Sequence, residues 1–230
     1  MQALVTGAAK RLGRAIALEL HRAGHRVAVH DRTSRAEAEE TAALLGGAPL
    51  VQGDQAREPE RIVAEAAAAL GGLDLLVCSA AQFEKVPAES LRRAQFEAML
   101  AANLTGPFLL MQAALPHLRA ARGSIVTLLD VCGTRQVWKG YAHYAASKAG
   151  LAALTRLLAL EWAPEVRVNG VAPGAVLPPE DIDPERLAKR IPLGRIGTPE
   201  DVARAVLFLA KQPFVTGEIL TVDGGRSLNP

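Results

Sequence analysis

The chain has 230 residues, half of them apolar, and a formal charge of +2 with acids and bases intermixed. That length allows one large α/β domain or two small ones, and the apolar content supports a sizeable core and argues against disorder. No Lys/Arg block offers a nucleic-acid footprint, aromatics for base stacking make up only 4% of the chain, and no apolar run reaches the roughly 18 residues that span a bilayer.

Strand-like and helix-like segments alternate from end to end. Residues 3–6 read as a short apolar strand, followed by a helix over 11–22. Residues 26–30 form the next strand, then a polar helix over 34–45, a strand over 49–53 and an Ala-rich helix over 58–70. A fourth strand covers 73–78, and a long helix over 89–121 is expected to bend at Gly106-Pro107, because an interior proline removes a backbone hydrogen bond. Strands over 124–129, 166–172 and 219–222 then alternate with helices over 141–162 and 199–211. Continuous Val/Leu strands separated by helices predict a parallel sheet covered on both faces. The expected fold is a single doubly wound α/β domain over residues 1–230, with about seven strands. Ligands of such a sheet bind beyond the carboxyl ends of its strands.

Cys78 and Cys132 are the only cysteines and lie in apolar contexts, which reads as two free thiols in a reducing compartment. The first predicted strand starts essentially at Met1, leaving no room for a signal peptide, so a cytoplasmic location is expected. No cluster with metal-ligand spacing stands out.

Thr6-Gly7-Ala8-Ala9-Lys10-Arg11-Leu12-Gly13 links the first strand to the first helix. A glycine there permits a tight turn, and the helix beyond offers free N–H groups and a positive dipole end to a pyrophosphate. Two glycines alone also fit an ordinary turn; the position after the first strand favours the functional reading. The second strand ends at Asp31, whose carboxylate would accept from the adenine ribose hydroxyls and repel a 2′-phosphate, favouring NAD over NADP. Arg32 and Arg35 could instead hold that phosphate. Asp54, just past the third strand, could accept from the adenine amino group or simply cap a helix.

Tyr144 and Lys148 share one helix face, four residues apart, just after a strand ending Leu128-Leu129-Asp130. A phenol with a reference pKa near 10 is a poor acid–base at neutral pH, and a nearby ammonium is expected to lower that value. Tyr-x-x-x-Lys is common, so the pair alone could equally be an exposed tyrosine and a solvated lysine.

Taken together, these residues resemble the short-chain dehydrogenase/reductase family over nearly the whole chain. The matching elements are the Thr6–Gly13 turn, Asp54, Asn103, Tyr144-Ala-Ala-Ser-Lys148, Arg167-Val-Asn-Gly-Val-Ala-Pro173-Gly174 and Thr216-Gly217 through Val222-Asp223-Gly224-Gly225. The resemblance implies hydride transfer with NAD or NADP on a small molecule. Tyr144 would exchange the proton, Lys148 would hold the nicotinamide ribose and tune the phenol, and Asn103 would hold a water in a relay toward Lys148. Gly7, Arg11, Leu12 and Gly13 would face the cofactor, as would Asp31 and Asp54, with Ser79-Ala80 against the ribose. Pro173, Gly174 and Val176 would line the nicotinamide site. A short lid over about 175–195 and a homo-oligomer, a tetramer, are also implied.

Three departures narrow the comparison. Arg11 stands where the family turn usually has glycine, Cys78-Ser79-Ala80-Ala81 replaces the usual Asn-Asn-Ala-Gly, and Asp130 takes the place of the catalytic serine. Arg11, Asp130, Phe83 and Gly140-Tyr141 resemble the pteridine reductase branch, in which a phenylalanine and the nicotinamide sandwich a flat pterin. Against that branch stand an interval from Asp130 to Tyr144 one residue longer than the family norm, the NAD-like Asp31, and Ala81 at a substrate-side serine position. The competing expectations are a 3-oxoacyl-thioester reductase, a small alcohol dehydrogenase and a non-catalytic dinucleotide sensor.

Overall fold

β1 (Gln2–Val5), β2 (Arg26–Asp31), β3 (Leu50–Gln52), β4 (Leu75–Cys78), β5 (Ser124–Leu128), β6 (Arg167–Pro173) and β7 (Ile219–Val222) form one parallel sheet in the order β3-β2-β1-β4-β5-β6-β7. The computed structural model describes residues 1–178 and 183–228. The strand order reverses between β1 and β4, so the loops leaving these two strands diverge and open a crevice at the carboxyl edge.

Side chains alternate across the sheet with period two, and each face collects its own core. Leu4, Leu76, Ile125 and Val168 point to one side, against α3 (Pro59–Leu70), α5 (Gly106–Ala121) and α7 (Ala142–Glu161). Val5, Leu75, Val77 and Val126 point to the other, against Ile16 and Leu20 of α1 (Arg11–Arg22) and Val202, Val206 and Leu209 of α9 (Pro199–Lys211). Burial on both faces explains why the strands are continuously apolar. α9 starts at a capping box, with the Thr198 hydroxyl accepting from Asp201 N (3.3 Å) and the Asp201 carboxylate accepting from Thr198 N (2.8 Å). At its other end the Arg167 guanidinium donates to the carbonyls of Leu209 and Ala210.

The long central helix departs from the sequence expectation at both its start and its bend. Residues 88–90 make a separate turn and Leu91 and Arg92 are extended, so α4 (Arg93–Leu100) begins at Arg93 and not at residue 89. A wide turn of π type, Ala101–Thr105, connects α4 to α5 and absorbs Pro107 one turn before the proline. By length and composition the run Arg93–Ala121 is apolar enough to cross a membrane, with mean hydropathy 1.4, which corrects the expectation that no segment qualifies. Its Leu110, Met111, Ala114 and Leu118 instead lie in the core beneath the sheet. Between β5 and α7, Val131–Thr134 forms a distorted turn, α6, with Gly133 at φ 93°. α2 (Arg35–Leu44) and the short α8 (Pro184–Ala188) complete the α-helices among the described residues, and a single 3-10 turn, Arg226–Leu228, follows β7.

Candidate active site

One cleft of about 600 Å3 runs along the carboxyl edge, from Gly7 and Asp31 past Ser79 to Tyr144, Phe83 and Arg226. At the end near β2 the turn after β1 leaves no room for a side chain at either of its two glycines. Gly7 sits at φ 63°, and a Cβ there would approach Ala80 Cα to 2.8 Å; a Cβ on Gly13 would strike the Gly7 carbonyl. Arg11 also adopts positive φ, at 55°, a conformation uncommon for a side-chain-bearing residue, which explains why a glycine would be at ease there. Its guanidinium donates to the Leu177 carbonyl (3.3 Å), linking the turn to the segment after β6. Lys10 precedes α1 without a side-chain cap, so the first N–H groups of the helix remain for an anion. Thr6 Oγ accepts from both Ser79 N and Ala80 N (3.0 Å each), which fixes the β4 loop against the β1 loop.

Asp31 is buried. One carboxylate oxygen accepts from Ser34 N (3.0 Å) and Gln52 (3.4 Å), while the other is buried with no partner. An orphaned acceptor on the cleft wall fits a diol donor such as a ribose. Arg35 pairs with Glu39 (2.9 Å) and Arg32 lies 3.8 Å from Asp54, so neither arginine is gathered toward Asp31. Asp54 accepts from Ala56 N (2.9 Å), as a helix-leading residue does, and still faces the cleft. Pro173, Gly174 and Val176 line the opposite wall, where a Cβ on Gly174 would meet Asp223 Cβ at 2.5 Å. Glycines, helix terminus and orphaned carboxylate together fit a dinucleotide.

Tyr144 and Lys148 occupy the other end, on the buried face of α7. The Tyr144 hydroxyl donates to Asp130 Oδ2 (2.8 Å), and Asp130 Oδ1 accepts from Cys132 N (2.8 Å). The longer interval therefore does not turn the carboxylate away; the α6 turn takes up the slack. Burial pushes the Asp130 carboxyl above the usual carboxylate range, against the opposing pull of Cys132 N, Tyr144, Lys148 and Arg226. Lys148 Nζ donates to the Leu128 carbonyl (2.7 Å), and its complete burial brings its pKa down to about 8. The expectation of an acidified phenol is corrected here. Burial, then the Asp130 charge and its hydrogen bond, hold the Tyr144 phenol well above its usual value. The carboxylate bonds the phenol directly, whereas the lysine nitrogen stands 5.8 Å from the ring centre.

Asn103 lies beneath the pair. Its amide accepts from Gln82 N (2.7 Å) and donates toward Gln82 O, Met99 Sδ and Ser147 Oγ. The side chain is thus committed to holding the loop that carries Phe83. The backbone carbonyl of Asn103 cannot take the ordinary helical bond, because the residue four ahead is Pro107. Gln55 stabilises the same wide turn by donating to the Ala102 carbonyl (2.7 Å). Nothing in its local sequence singles Gln55 out, and only the tertiary fold brings it there.

Four of the nine aromatic residues gather at the mouth. Phe83 stacks on Tyr141 (centroids 4.8 Å, 24°) and meets Tyr144 edge-on (4.8 Å, 87°), while Trp138 packs edge-on against Tyr141 at 5.8 Å. Phe83 remains 48% exposed toward the opening. Trp138 and Arg226 were not legible as site residues in the sequence. The available signal was their position, since both follow strand ends at the carboxyl edge.

A glycine-turn crevice leading to a Tyr–Lys pair defines a dinucleotide-dependent oxidoreductase. Residues 7–227 match the family model described as enoyl-(acyl carrier protein) reductase. The chain is 38% identical to the granaticin polyketide synthase putative ketoacyl reductase 2 of Streptomyces violaceoruber, over 98% of this chain and 96% of that protein. It is 36% identical to the glucose 1-dehydrogenase of Gluconobacter oxydans, over 98% and 91%. The solved structure of a short-chain dehydrogenase/reductase from Brucella melitensis, described as a glucose/ribitol dehydrogenase, superposes with a TM-score of 0.91 at 34% identity, over 97% of this chain and 95% of that one. The chain belongs to the short-chain dehydrogenase/reductase family, whose members are NAD(P)-dependent oxidoreductases.

Proposed function

We propose that the chain is a reductase preferring NADH, acting on a small planar carbonyl or imine substrate of pteridine-like shape. The observation that carries this reading is the hydrogen bond from Tyr144 to the half-buried Asp130, on the same cleft wall as Lys148. When bound, the nicotinamide supplies the hydride. Tyr144 delivers a proton from its hydroxyl to the substrate, and Lys148 stabilises the phenolate left behind. In its protonated form, which its upward-shifted pKa favours, Asp130 returns a proton to the phenolate oxygen of Tyr144, which a serine hydroxyl would do less readily. With its amide taken up by Gln82, Met99 and Ser147, Asn103 would offer its backbone carbonyl, left without a helical donor by Pro107, to a relay water leading toward Lys148. Phe83, Tyr141 and Trp138 supply stacking surface for a flat heterocycle.

The orphaned Asp31 oxygen supports NAD over NADP, since a 2′-phosphate would meet a carboxylate. The second reading, a 3-oxoacyl or small ketone substrate, draws on the ketoacyl reductase and glucose dehydrogenase among the relatives. A homotetramer is supported by half-buried Leu104, Phe108 and Leu115 on the central helix and by exposed Leu157 and Leu160 on α7. The two buried free thiols suit a cytoplasmic setting. The proposed lid over about 175–195 includes residues 179–182, which lie outside the described residues.

Rates with NADH and NADPH against dihydrobiopterin, an acetoacetyl thioester and small ketones test the reading. NADH is expected to exceed NADPH in kcat/KM by about tenfold or more, one like-charge repulsion being about 1.4 kcal/mol. Asp31→Ser should narrow that gap, and dihydrobiopterin should be the best substrate. Tight NADH binding without turnover of any compound would identify a sensor instead.

A further inference from the structure

Arg226 stands at the aromatic end of the cleft and, among the described residues, forms no ion pair with an acid. The chain leaves β7 through Asp223-Gly224-Gly225, where both glycines take positive φ (64° and 86°), and this turn brings Arg226 back over the mouth. Asp223, the acid nearest in sequence, is committed to backbone. Its two oxygens accept from Gly225 N (2.9 Å) and Ser227 N (2.7 Å). The Arg226 guanidinium lies 5.3 Å from the centre of the Trp138 ring, and Gln136 donates to the Arg226 carbonyl (3.3 Å). The residue is therefore held from both its ends. It is partly buried, and no ion pair among the described residues includes it. Burial, and after it the charge of Arg190, disfavour its cation, while Asp130 and Asp223 favour it from a distance. A guanidinium nevertheless stays protonated.

A partly desolvated cation on an aromatic platform, with no ion-pair partner among the described residues, is a ready site for an oxyanion. The geometry points to Arg226 as the anchor of an anionic group on the substrate, a carboxylate or a phosphate, bound while the reacting centre faces Tyr144. This rests on reading the Asp130–Tyr144 end as the substrate end. It adds that substrates are selected by charge as well as by flatness. Lys85 is another cation lining this end of the cleft, but it is exposed on a loop and lies along Gly140, so Arg226 is the better-fixed group.

The test uses Trp138 fluorescence in a Trp162→Phe background with NAD bound, titrated with benzoate, phenyl phosphate and benzamide. Calorimetric titration of the protein with both tryptophans gives the same answer if that background folds poorly. Benzoate or phenyl phosphate is expected to bind about tenfold or more tightly than benzamide, as for a charge-assisted hydrogen bond. The tighter of the two anions identifies the group. Arg226→Gln should abolish the preference and Arg226→Lys should restore part of it. Equal affinity for benzoate, phenyl phosphate and benzamide, no binding of any, or an unchanged preference in Arg226→Gln would overturn the inference. So would loss of the preference in Lys85→Gln but not in Arg226→Gln. Absence of turnover on the carbonyl and pterin panel would instead count against the proton-donor reading, which these titrations do not probe.

Discussion

Replacing Tyr144 by phenylalanine is expected to lower kcat for reduction by about 100- to 10,000-fold, the usual contribution of one positioned general acid. The change removes only the hydroxyl from a ring held by Phe83, Tyr141 and the buried face of α7, so the aromatic wall and the fold should survive. Cofactor affinity, read by NADH fluorescence, should change little. Because the phenol also satisfies Asp130, its loss leaves a half-buried carboxyl with one fewer donor and should raise the Asp130 pKa further. A variant retaining most of its turnover would show that the proton comes from elsewhere.

Lys148→Met is expected to do two opposite things. Activity should fall by about 100-fold or more, because nothing then stabilises the phenolate formed as Tyr144 gives up its proton. Stability, by contrast, should rise. Burial lowers the Lys148 pKa from 10.5 to about 8. Between these values the unfolded chain holds a proton that the folded chain has released, so stability increases with pH across that window. Below about 8 both states are protonated, and the folded state bears the full penalty, about 3 kcal/mol. Methionine removes the penalty but leaves the Leu128 carbonyl without its donor, a loss of about 1 kcal/mol. The net gain at neutral pH, about 2 kcal/mol, corresponds to a rise in Tm of roughly 4–8 °C for a chain of this size, measurable by calorimetry. An unchanged or lower Tm would show that the ammonium is not strained by its burial. The native lysine should also give reduction an alkaline limb near pH 8, absent in the variant.

Much of this arrangement was legible in the residues. Continuous apolar strands, Gly7 and Gly13, and Tyr144 four residues before Lys148 are local signals, and each lies where its pattern places it. The wide turn at Ala101–Thr105 was not legible, since a proline announces a bend without saying which carbonyls are released or that Gln55 will cap one. The direction of the Tyr144 shift was missed for a similar reason. Spacing along one helix reveals the lysine, but it shows neither the burial of the phenol nor the carboxylate bonded to it, which arrives from the end of β5 ahead of a turn containing Gly133. Arg226 was overlooked because its meaning lies wholly in Trp138, 88 positions away in the chain.

The most direct test of a proton pair formed by Asp130 and Tyr144 is the pH dependence of kcat/KM for NADH-driven reduction in the native protein and in Asp130→Ser. A carboxyl held above its usual range stays partly protonated where ordinary carboxylates are ionised, so native activity should decline as pH rises through that range. The serine variant should lose this decline and keep only the limb near pH 8 set by Lys148. Superimposable profiles for the two proteins would contradict the account, because Asp130 would then carry no proton that the reaction uses.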